Sequence, residues 1–427
     1  MRLSIENLAK LNQVDLALDG ITVVVGDNNT GKSTLGKTLW AMFQSFSHLP
    51  EQAQHARRSK SWALLNEFAF RFSKPARLTQ AYMRLDEWLA GTLSLPEWQQ
   101  LLLKNADASR EKLQWEEWER RFREVRDLSE QDLQRQIVQG VFDAVFDEQF
   151  IPLRRAPGPT AVKLTVRGKE LSARFSKDGL PDLSQELALQ HQAFLIDSPD
   201  CLEQLAYGER LTVSLFPLED EFQMPSRSLA AQIWRSFQKK DAEVVDKLLA
   251  KKKLARVEAI FSQTMNGTLQ KTPKGEIQFV SQEFAAQPLH LRNLSQGLKA
   301  FALLQAAFLR NAIGEDDVLI LDEPEIHLHP EWQLKYAEAI VLLQKEFHLT
   351  VLLTSHSPDF VQALRLFSQK HGLAGSLNGY LSEATEEGGV TISEMPQDNW
   401  DAIFERFIAS YTRLQELRIE LEGEPRK

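Results

Sequence analysis

Short apolar segments at the start of the chain predict strands. Residues 3–8 and 14–18 alternate between apolar and polar side chains, which is typical of strands with one buried face. Residues 21–25 form a continuous apolar run, which indicates a strand buried on both faces of a sheet. From residue 33 to about residue 46, apolar side chains recur at helical spacing. This order predicts a buried strand that a polar loop joins to a helix.

The last third of the chain alternates between helices and strands again. Apolar runs at 318–321 and 350–354 predict two buried strands, and helical periods at about 295–312 and 330–347 precede them. Weaker patterns predict strands at 193–196, 268–271, 276–279, 378–381 and 390–392. A charged helix is predicted at about 399–420. Both buried strands end in polar residues, at the position where α/β sheets hold their ligands.

The middle of the chain has a different composition. It contains five tryptophans at helical spacing, and we interpret the helices that carry them as forming a core of their own: Trp62, Trp88, Trp98, Trp115 and Trp118. No heptad pattern persists, so a long coiled-coil arm is not expected. Residues 161–175 predict a small hairpin. We therefore expect a mainly helical insertion with a small β-hairpin at 48–264, between an N-terminal part at 1–47 and a C-terminal part at 265–427.

Composition and charge narrow the classes of protein. The chain has 427 residues, 43% of them hydrophobic and 26% charged, which is typical of a globular protein. Its one cysteine, Cys201, excludes an internal disulfide and cysteine-rich zinc sites. The net charge of −9 is unlike that of a free-standing DNA binder. We find neither a signal peptide nor a membrane-spanning run of apolar residues, and expect a cytoplasmic protein with no membrane partner.

The polar loop after the first buried strand matches a phosphate-binding pattern. Its residues follow G-x-x-x-x-G-K-[ST], in the order Gly26, Asp27, Asn28, Asn29, Thr30, Gly31, Lys32 and Ser33, with Thr34 next in the helix. Backbone N–H groups of such a loop wrap a phosphate, and the helix N-terminus adds a favourable dipole. Lys32 is expected to contact the β- and γ-phosphates, and Ser33 to bind Mg²⁺. The strand before the loop and the helix after it are the required context.

Polar residues elsewhere supply candidates for the rest of a nucleotide site. The strand at 318–321 ends in Asp322, expected to hold Mg²⁺, and Glu323, expected to act as general base. Ser295 and Gly297 precede a helix, where an ordinary N-cap and a γ-phosphate binder are both open interpretations. His356 follows the strand at 350–354 and is suited to bind the γ-phosphate or the attacking water.

The order of these motifs resembles the ABC-type ATPase head, and within that class the SMC-like and OLD-like ATPases. The resemblance rests on G-x-N-N-x-G-K-S at the loop, L-S-Q-G-L-K at 294–299 and D-E-P-E-I-H-L-H-P at 322–330. It covers about residues 1–47 and 265–427. It implies a P-loop ABC-type α/β head, a mixed sheet flanked by helices, with ATP and Mg²⁺ as cofactors and hydrolysis of ATP. It further implies that Ser295 and Gly297 form the signature motif, that His329 takes the place of the D-loop acid, and that His356 is the switch histidine.

The resemblance also implies an assembly. Heads of this class dimerise around two ATP molecules, so the resemblance implies a homodimer. A higher oligomer built from such dimers is a further possibility. Stand-alone ATPases of this shape are similar to ATPase subunits of anti-phage systems such as PARIS and Septu, which control a separate nuclease. The alternatives are a DNA repair ATPase of the RecF-like kind, with local DNA contact, and a nucleotide-gated scaffold that turns over little. We expect no nuclease within the chain.

Two positions depart from the family pattern. Leu298 stands where transporter ATPases have glutamine. No glutamine stands at 196–199, the best candidate for the loop that couples Mg²⁺ to the helical part.

Overall fold

The computed structural model places a set of residues that covers most of the chain. It describes residues 1–72, 78–104, 115–152, 158–176, 179–212, 229–238, 244–281, 287–385, 388–395, 400 and 412–420.

A large mixed sheet forms the centre of the described fold. The strands in chain order are β1 (Arg2–Leu8), β2 (Leu11–Ala17), β3 (Ile21–Gly26), β4 (Thr160–Val166), β5 (Lys169–Ser176), β6 (Gly179–Gln185), β7 (Ala193–Ile196), β8 (Gly267–Lys271), β9 (Ile277–Ser281), β10 (Leu289–His290), β11 (Val318–Asp322), β12 (Thr350–Ser355), β13 (Leu377–Ala384) and β14 (Val390–Met395). Eleven of these described strands share one sheet, in the order β6-β5-β4-β1-β2-β14-β13-β3-β12-β11-β7, while β8 to β10 form a second, antiparallel sheet.

Helices surround the large sheet and form a separate layer in the middle of the chain. They are α1 (Lys32–Phe46), α2 (Leu49–Phe72), α3 (Thr79–Met83), α4 (Leu85–Leu89), α5 (Leu95–Leu103), α6 (Trp115–Arg126), α7 (Glu130–Phe146), α8 (Leu229–Gln238), α9 (Val244–Met265), α10 (Gln296–Leu309), α11 (Pro330–Phe347) and α12 (Pro358–Lys370), with 3₁₀ segments at Pro199–Thr212, Leu291–Asn293 and Ala374–Ser376. Residues 412–420 are also helical. None of the described helices combines the length and the apolar composition that crossing a membrane requires.

The parallel part of the sheet contains the candidate site. Strand β3 lies between β12 and β13, and β12 pairs with β11, which pairs with β7, all in parallel. Apolar side chains cover both faces: Val23 and Val25 belong to one core cluster, and Val24 to the other. Burial on both faces explains why β3 is continuously apolar. The predicted α/β class, a mixed sheet flanked by helices, is confirmed.

The predicted hairpin occupies a different position from the one expected. Strands β4 and β5 form the hairpin, but β4 pairs with β1, so both strands extend the large sheet. Strand β7 joins the other edge of that sheet through β11. Residues 160–196 are therefore part of the sheet that carries the site, although the sequence pattern assigned them to the insertion. The division at residues 47 and 264 stays a prediction, and β6 and α12 were not predicted.

The tryptophan-rich helices form a core of their own, as interpreted from the sequence. Trp88 and Trp98 are fully buried, and their rings stack with centroids 5.2 Å apart. Trp98 also meets Phe122 edge-to-face at 5.6 Å. Helix α7, in contrast, packs on the large sheet, where Phe142 lies 4.7 Å from Phe175 between ring centroids. The helical layer formed by α2 to α6 is thus joined to the sheet through α2 and α7.

Two segments of the chain are described only in part. The predicted terminal helix is present at 412–420, and 401–411 lie outside the described residues. In the basic cluster at 251–253, Lys253 pairs with Glu315, while the side chains of Lys251 and Lys252 lie outside the described residues.

Gly26 marks a point of close contact between two strands. A Cβ atom built there would lie 2.5 Å from the backbone oxygen of Ser382 on β13. The Ser382 hydroxyl also donates a hydrogen bond to the Thr30 carbonyl, at 2.6 Å. Strand β13 therefore supports the loop that follows β3 from one side.

We expect Gly26→Ala to lower the free energy of unfolding by about 1–3 kcal/mol, because the added methyl group must displace backbone atoms. Gly140→Ala in α7 is the matched control, since a Cβ atom built at Gly140 has nothing within 4 Å of it. That control should be neutral or stabilising by up to about 1 kcal/mol, as for other glycines in helix interiors. Urea unfolding of both variants measures the difference. Equal unfolding free energies for the two variants would contradict the close contact.

Candidate nucleotide site

The loop between β3 and α1 turns tightly around its own carbonyl groups. Gly31 is the N-cap of α1 and has φ 78°, and Asn29 has φ 66°. Both values are in the left-handed region, which glycine and asparagine tolerate best. Inside the turn, the Thr30 hydroxyl donates to the Asp27 carbonyl at 2.7 Å. The loop thus has the two left-handed residues that a backbone wrapped around a phosphate needs.

Lys32 lies inside this loop, not on the surface. Its side chain is 3% exposed, and Nζ donates to the carbonyl oxygens of Gly26 and Asp27, each at 2.8 Å. Nζ also lies 3.5 Å from Oε1 of Glu323. The loop therefore holds a buried cation beside the carboxylate predicted as general base.

Thr354 fixes the two acids at the end of β11. The parallel register pairs Asp322 with Thr354. The Thr354 hydroxyl donates to Oδ1 of Asp322 at 2.5 Å and accepts from the backbone N–H of Glu323 at 3.0 Å. That N–H also points at the Thr354 carbonyl, at 3.1 Å. Glu323 has φ 48°, a left-handed conformation that turns the chain sharply after the strand.

His356 completes the group at the end of β12. Its Nδ1 lies 3.4 Å from Oε2 of Glu323 and 3.9 Å from Oε1 of Glu325. Parallel strands end at the same edge of a sheet, so β3, β11 and β12 bring Lys32, Glu323 and His356 together. These three residues are far apart in the sequence.

The donor atoms near this edge fit a hard divalent cation. Ser33 is exposed in the first turn of α1, and Asp322 is only partly buried at the end of β11. Hydroxyl and carboxylate oxygens are the ligands that Mg²⁺ prefers, with phosphate and water filling its other positions. Among the described residues, no cluster of three or more His, Cys, Asp or Glu side chains could hold a metal by protein groups alone. The residues present therefore suit a metal that arrives with a phosphate ligand.

Ser295 and Gly297 lie at the start of α10, where their described contacts are with residues other than those of the phosphate loop. The Ser295 side chain accepts from the backbone N–H of Leu298 at 3.3 Å, so it is an N-cap. A Cβ atom at Gly297 would come within 3.2 Å of Trp332 and 3.3 Å of the His327 carbonyl oxygen. In the described part of the chain, neither residue hydrogen-bonds to the loop at 26–34. The turn at 326–332, which includes His329, instead lies beside the start of α10.

A buried lysine on helix α10 forms ion pairs with two acids in the 3₁₀ segment that follows β7. Lys299 is 3% exposed, and its Nζ lies 3.0 Å from Asp200 and 2.5 Å from Glu203. Asp200 also accepts from Gln296 at 2.7 Å. Separation of these segments would leave the buried ammonium of Lys299 without its acid partners, which is energetically costly.

The end of β7 also lines a cavity that reaches the two acids. This cavity of about 110 Å³ lies between the segment after β7 and the turn after β11, and its lining includes Asp197, Ser198, Asp322, Glu323 and His327. The register of β7 with β11 pairs Ile196 with Leu321, so Asp197 comes next to Asp322. The segment at 196–199 therefore lies at the expected edge of the sheet, with Asp and Ser in place of glutamine.

Sequence reasoning missed three residues that hold this site together: Thr354, Glu325 and Ser382. Thr354 and Glu325 stand inside the predicted motifs, but neither spacing nor residue type indicated which atoms they contact. Ser382 gave no signal, because its role depends on β13 pairing with β3.

A family model described as "AAA domain, putative AbiEii toxin, Type IV TA system" matches residues 89–362, a span that begins after the phosphate loop and includes Ser295, Asp322, Glu323 and His356. Among curated proteins, no sequence matches the chain.

Solved structures similar to the chain include three SMC head domains. One is an SmcHead bound to the C-winged helix domain of ScpA, with 11% identity over 94% of this chain and 98% of that chain and a TM-score of 0.44. The second, from Thermotoga maritima, has 12% identity over 92% and 98% and a TM-score of 0.37. The third, from Pyrococcus furiosus, has an extended coiled coil bound to the C-terminal domain of ScpA, with 12% identity over 95% and 98% and a TM-score of 0.40.

The family match extends over more than half of the chain and includes the strand with both acids and the strand that leads to His356. The chain has the fold of a P-loop ATPase head and belongs to the AAA-domain family described as "putative AbiEii toxin, Type IV TA system".

Proposed function

We propose that this protein binds Mg-ATP at the loop between β3 and α1 and hydrolyses it to ADP and phosphate. The observation that carries the proposal is the convergence of Lys32, Glu323 and His356 at one sheet edge, with Nζ of Lys32 3.5 Å and Nδ1 of His356 3.4 Å from the Glu323 carboxylate. A cation, a general base and an imidazole at one edge are the groups that hydrolysis of a phosphoanhydride uses.

Each residue has a defined role in this proposal. The loop from Gly26 to Thr34 binds the phosphates through its N–H groups, and Lys32 leaves the loop carbonyls to contact the β- and γ-phosphates. Ser33 and Asp322 hold Mg²⁺, which when bound neutralises charge on the phosphates. Glu323 orients the attacking water and accepts its proton. His356 contacts the γ-phosphate or the water.

We further propose that two chains form the complete site. Ser295 and Gly297 lie at the start of α10, and among the described residues neither hydrogen-bonds to the loop, which supports a second copy as the source of these groups. A two-fold dimer gives two such composite sites. The exposed Ile326 and Leu334, at 51% and 46%, belong to the turn after β11 and to α11, and support an apolar contact there.

The proposed biological role is defence against phage, in which this ATPase controls a separate effector protein. The favoured effector is a nuclease. The family description, which names a toxin–antitoxin system, supports a defence role. The helical layer formed by α2 to α6 has its own core and contributes no residue to the proposed site, so it is available for a partner. The exposed Phe70 and Met83, at 86% and 76%, make that layer the first place to look for the contact.

Glu323→Gln should bind ATP and fail to hydrolyse it, because the amide cannot accept the proton of the attacking water. We expect kcat to fall about 100-fold or more, the typical contribution of a general base. Glu338→Gln is the matched control: Glu338 is also 21% exposed and also lies beside a lysine and a histidine, Lys370 and His371. Phosphate release measures both variants. Wild-type turnover in Glu323→Gln would place the base elsewhere.

Mixing two inactive variants tests whether Ser295 acts on the partner's nucleotide. Lys32→Ala should lose ATP binding, and Ser295→Arg should block the signature surface. A heterodimer of the two has one intact composite site and one doubly broken site, so some ATPase activity should return. If the mixture stays inactive although labelled chains are shown to exchange, two explanations remain. Either the two sites are strictly coupled, or Ser295 acts within its own chain. Crosslinks between cysteines placed near Ser295 and Gly31, found within single chains, would then reject the dimer model.

Thr354→Val should lower kcat by roughly 10–100-fold, the usual effect of removing a group that orients a metal ligand. Valine has the shape of threonine but neither donates to Asp322 nor accepts from Glu323. Thr22→Val is the control, since Thr22 is also fully buried, on the neighbouring strand β3, and donates only to the Ala17 carbonyl. ATPase rates over a Mg²⁺ titration separate the two. If Thr354→Val and Thr22→Val hydrolyse ATP at equal rates at every Mg²⁺ concentration, Thr354 has no role in the site.

A further inference from the structure

Glu325 is a buried acid without a cation of its own. Its side chain is 1% exposed, and burial raises the pKa of its carboxyl group. Among the described residues no lysine or arginine pairs with it, and His356 Nδ1, at 3.9 Å, is the nearest basic group. A buried carboxyl group is costly unless its oxygens are well hydrogen-bonded, so its position calls for an explanation.

One oxygen of Glu325 connects the turn after β11 to the end of β12. Oε1 accepts from the Ser355 hydroxyl at 2.6 Å and from the backbone N–H of His356 at 3.1 Å. The Ser355 hydroxyl in turn accepts from the N–H of Ser357 at 3.1 Å. The carboxyl group therefore fixes the backbone on which the His356 ring is mounted.

A second connection, through Gln333, runs parallel to the first. Nε2 of Gln333 donates to the Glu325 carbonyl at 3.3 Å, and its Oε1 accepts from the Ser357 hydroxyl at 3.3 Å. The turn after β11 and the residues around His356 are thus held by a closed ring of side-chain bonds. Glu325 is the charged member of that ring.

The other oxygen of Glu325 and the ring of His356 are both incompletely bonded. Oε2 of Glu325 and Nδ1 of His356 are buried and make no hydrogen bond within the described part of the chain. Nδ1 nevertheless lies between two carboxylates, Glu323 at 3.4 Å and Glu325 at 3.9 Å. A small rotation of the imidazole brings Nδ1 into hydrogen-bond range of one of them.

We propose that Glu325 is the positioning residue for His356. It holds the backbone of His356, and Nδ1 faces the carboxylates of Glu323 and Glu325, which leaves Nε2 as the ring nitrogen for the terminal phosphate or the attacking water. This inference rests on the proposed ATPase function and adds to it the residue through which the turn after β11 and the end of β12 are set against each other. Glu325 acts through His356 and contacts neither the nucleotide nor the metal.

A double-mutant cycle tests this role in the full-length chain. Glu325→Ala and His356→Gln are measured singly and together, with kcat from phosphate release and affinity from binding of a fluorescent ATP analogue. We expect Glu325→Ala to lower kcat roughly 10–100-fold, as for other groups that orient a functional side chain. Its affinity for the analogue should stay within about twofold of wild type, because the phosphate loop is intact. The double variant should lose no more than His356→Gln alone.

Glu325→Gln is the conservative variant. Its amide oxygen still accepts from Ser355 and from the N–H of His356, so we expect most of the kcat lost in Glu325→Ala to return. Asp317→Asn is the matched control, since Asp317 is a buried acid with a pKa raised by burial and accepts from the N–H groups of Gln192 and Gly314. It lies at the opposite end of β11, so this change should alter stability without altering kcat.

Four results would overturn the proposal. The first is losses of kcat that multiply in the double variant. The second is a loss of nucleotide affinity equal to the loss of kcat. The third is failure of both Glu325 variants to fold while Asp317→Asn folds, which would make the carboxyl group purely structural. The fourth is wild-type kcat in His356→Gln, because His356 would then have no role for Glu325 to support. If hydrolysis still requires Lys32 and Glu323 in any of these cases, the proposed ATPase function stands although this proposal fails.

Discussion

The hydroxyl of Thr354 is the contact on which the site depends. It donates to Asp322 and accepts from the N–H of Glu323, so one side chain sets the direction of the first acid and the backbone of the second. This is only possible because β11 and β12 are parallel and in register, which places Thr354 beside Asp322. Since β12 also pairs with β3, the same strand fixes the acids relative to the phosphate loop. A shift of register by one residue would turn Thr354 to the other face of the sheet.

The strands nearest the site were predictable from sequence, whereas the attachment of the outer hairpin to the sheet and the edge strand β6 were not. Largely apolar runs identify β3, β11 and β12, because burial on both faces leaves few polar positions in them. Strands β4 and β5 alternate, so their hairpin was also identified. Their attachment to β1 depends on pairing between residues more than 150 positions apart, which no local pattern encodes. Strand β6 contains glycine, proline and aspartate and has no strand signal of its own.

The candidate site divides in the same way. Lys32, Asp322 and Glu323 belong to motifs whose spacing follows from a strand that ends in a loop, and His356 follows the neighbouring strand. The residues that orient them are short polar side chains in the same segments, and many sequences place serine or threonine there with no special role. Ser382 and Glu325 acquire their contacts only when β13 lies beside β3 and the turn after β11 folds against the end of β12. These contacts depend on tertiary structure, and they cannot be predicted from the local pattern of a single sequence.

Charge at the sheet edge explains why a metal and a phosphate should arrive together. Asp322 and Glu323 stand together at the end of β11, and the ammonium of the buried Lys32 lies 3.5 Å from Glu323. A nucleotide without a cation would add negative charge to this group at short range, in surroundings of lower dielectric than water. In the proposed function, Mg²⁺ held by Ser33 and Asp322 would offset part of this negative charge, and Lys32 would turn from the loop carbonyls toward phosphate. Under the same proposal, that movement of Lys32 would separate it from Glu323 and leave the proposed general base available to a water molecule.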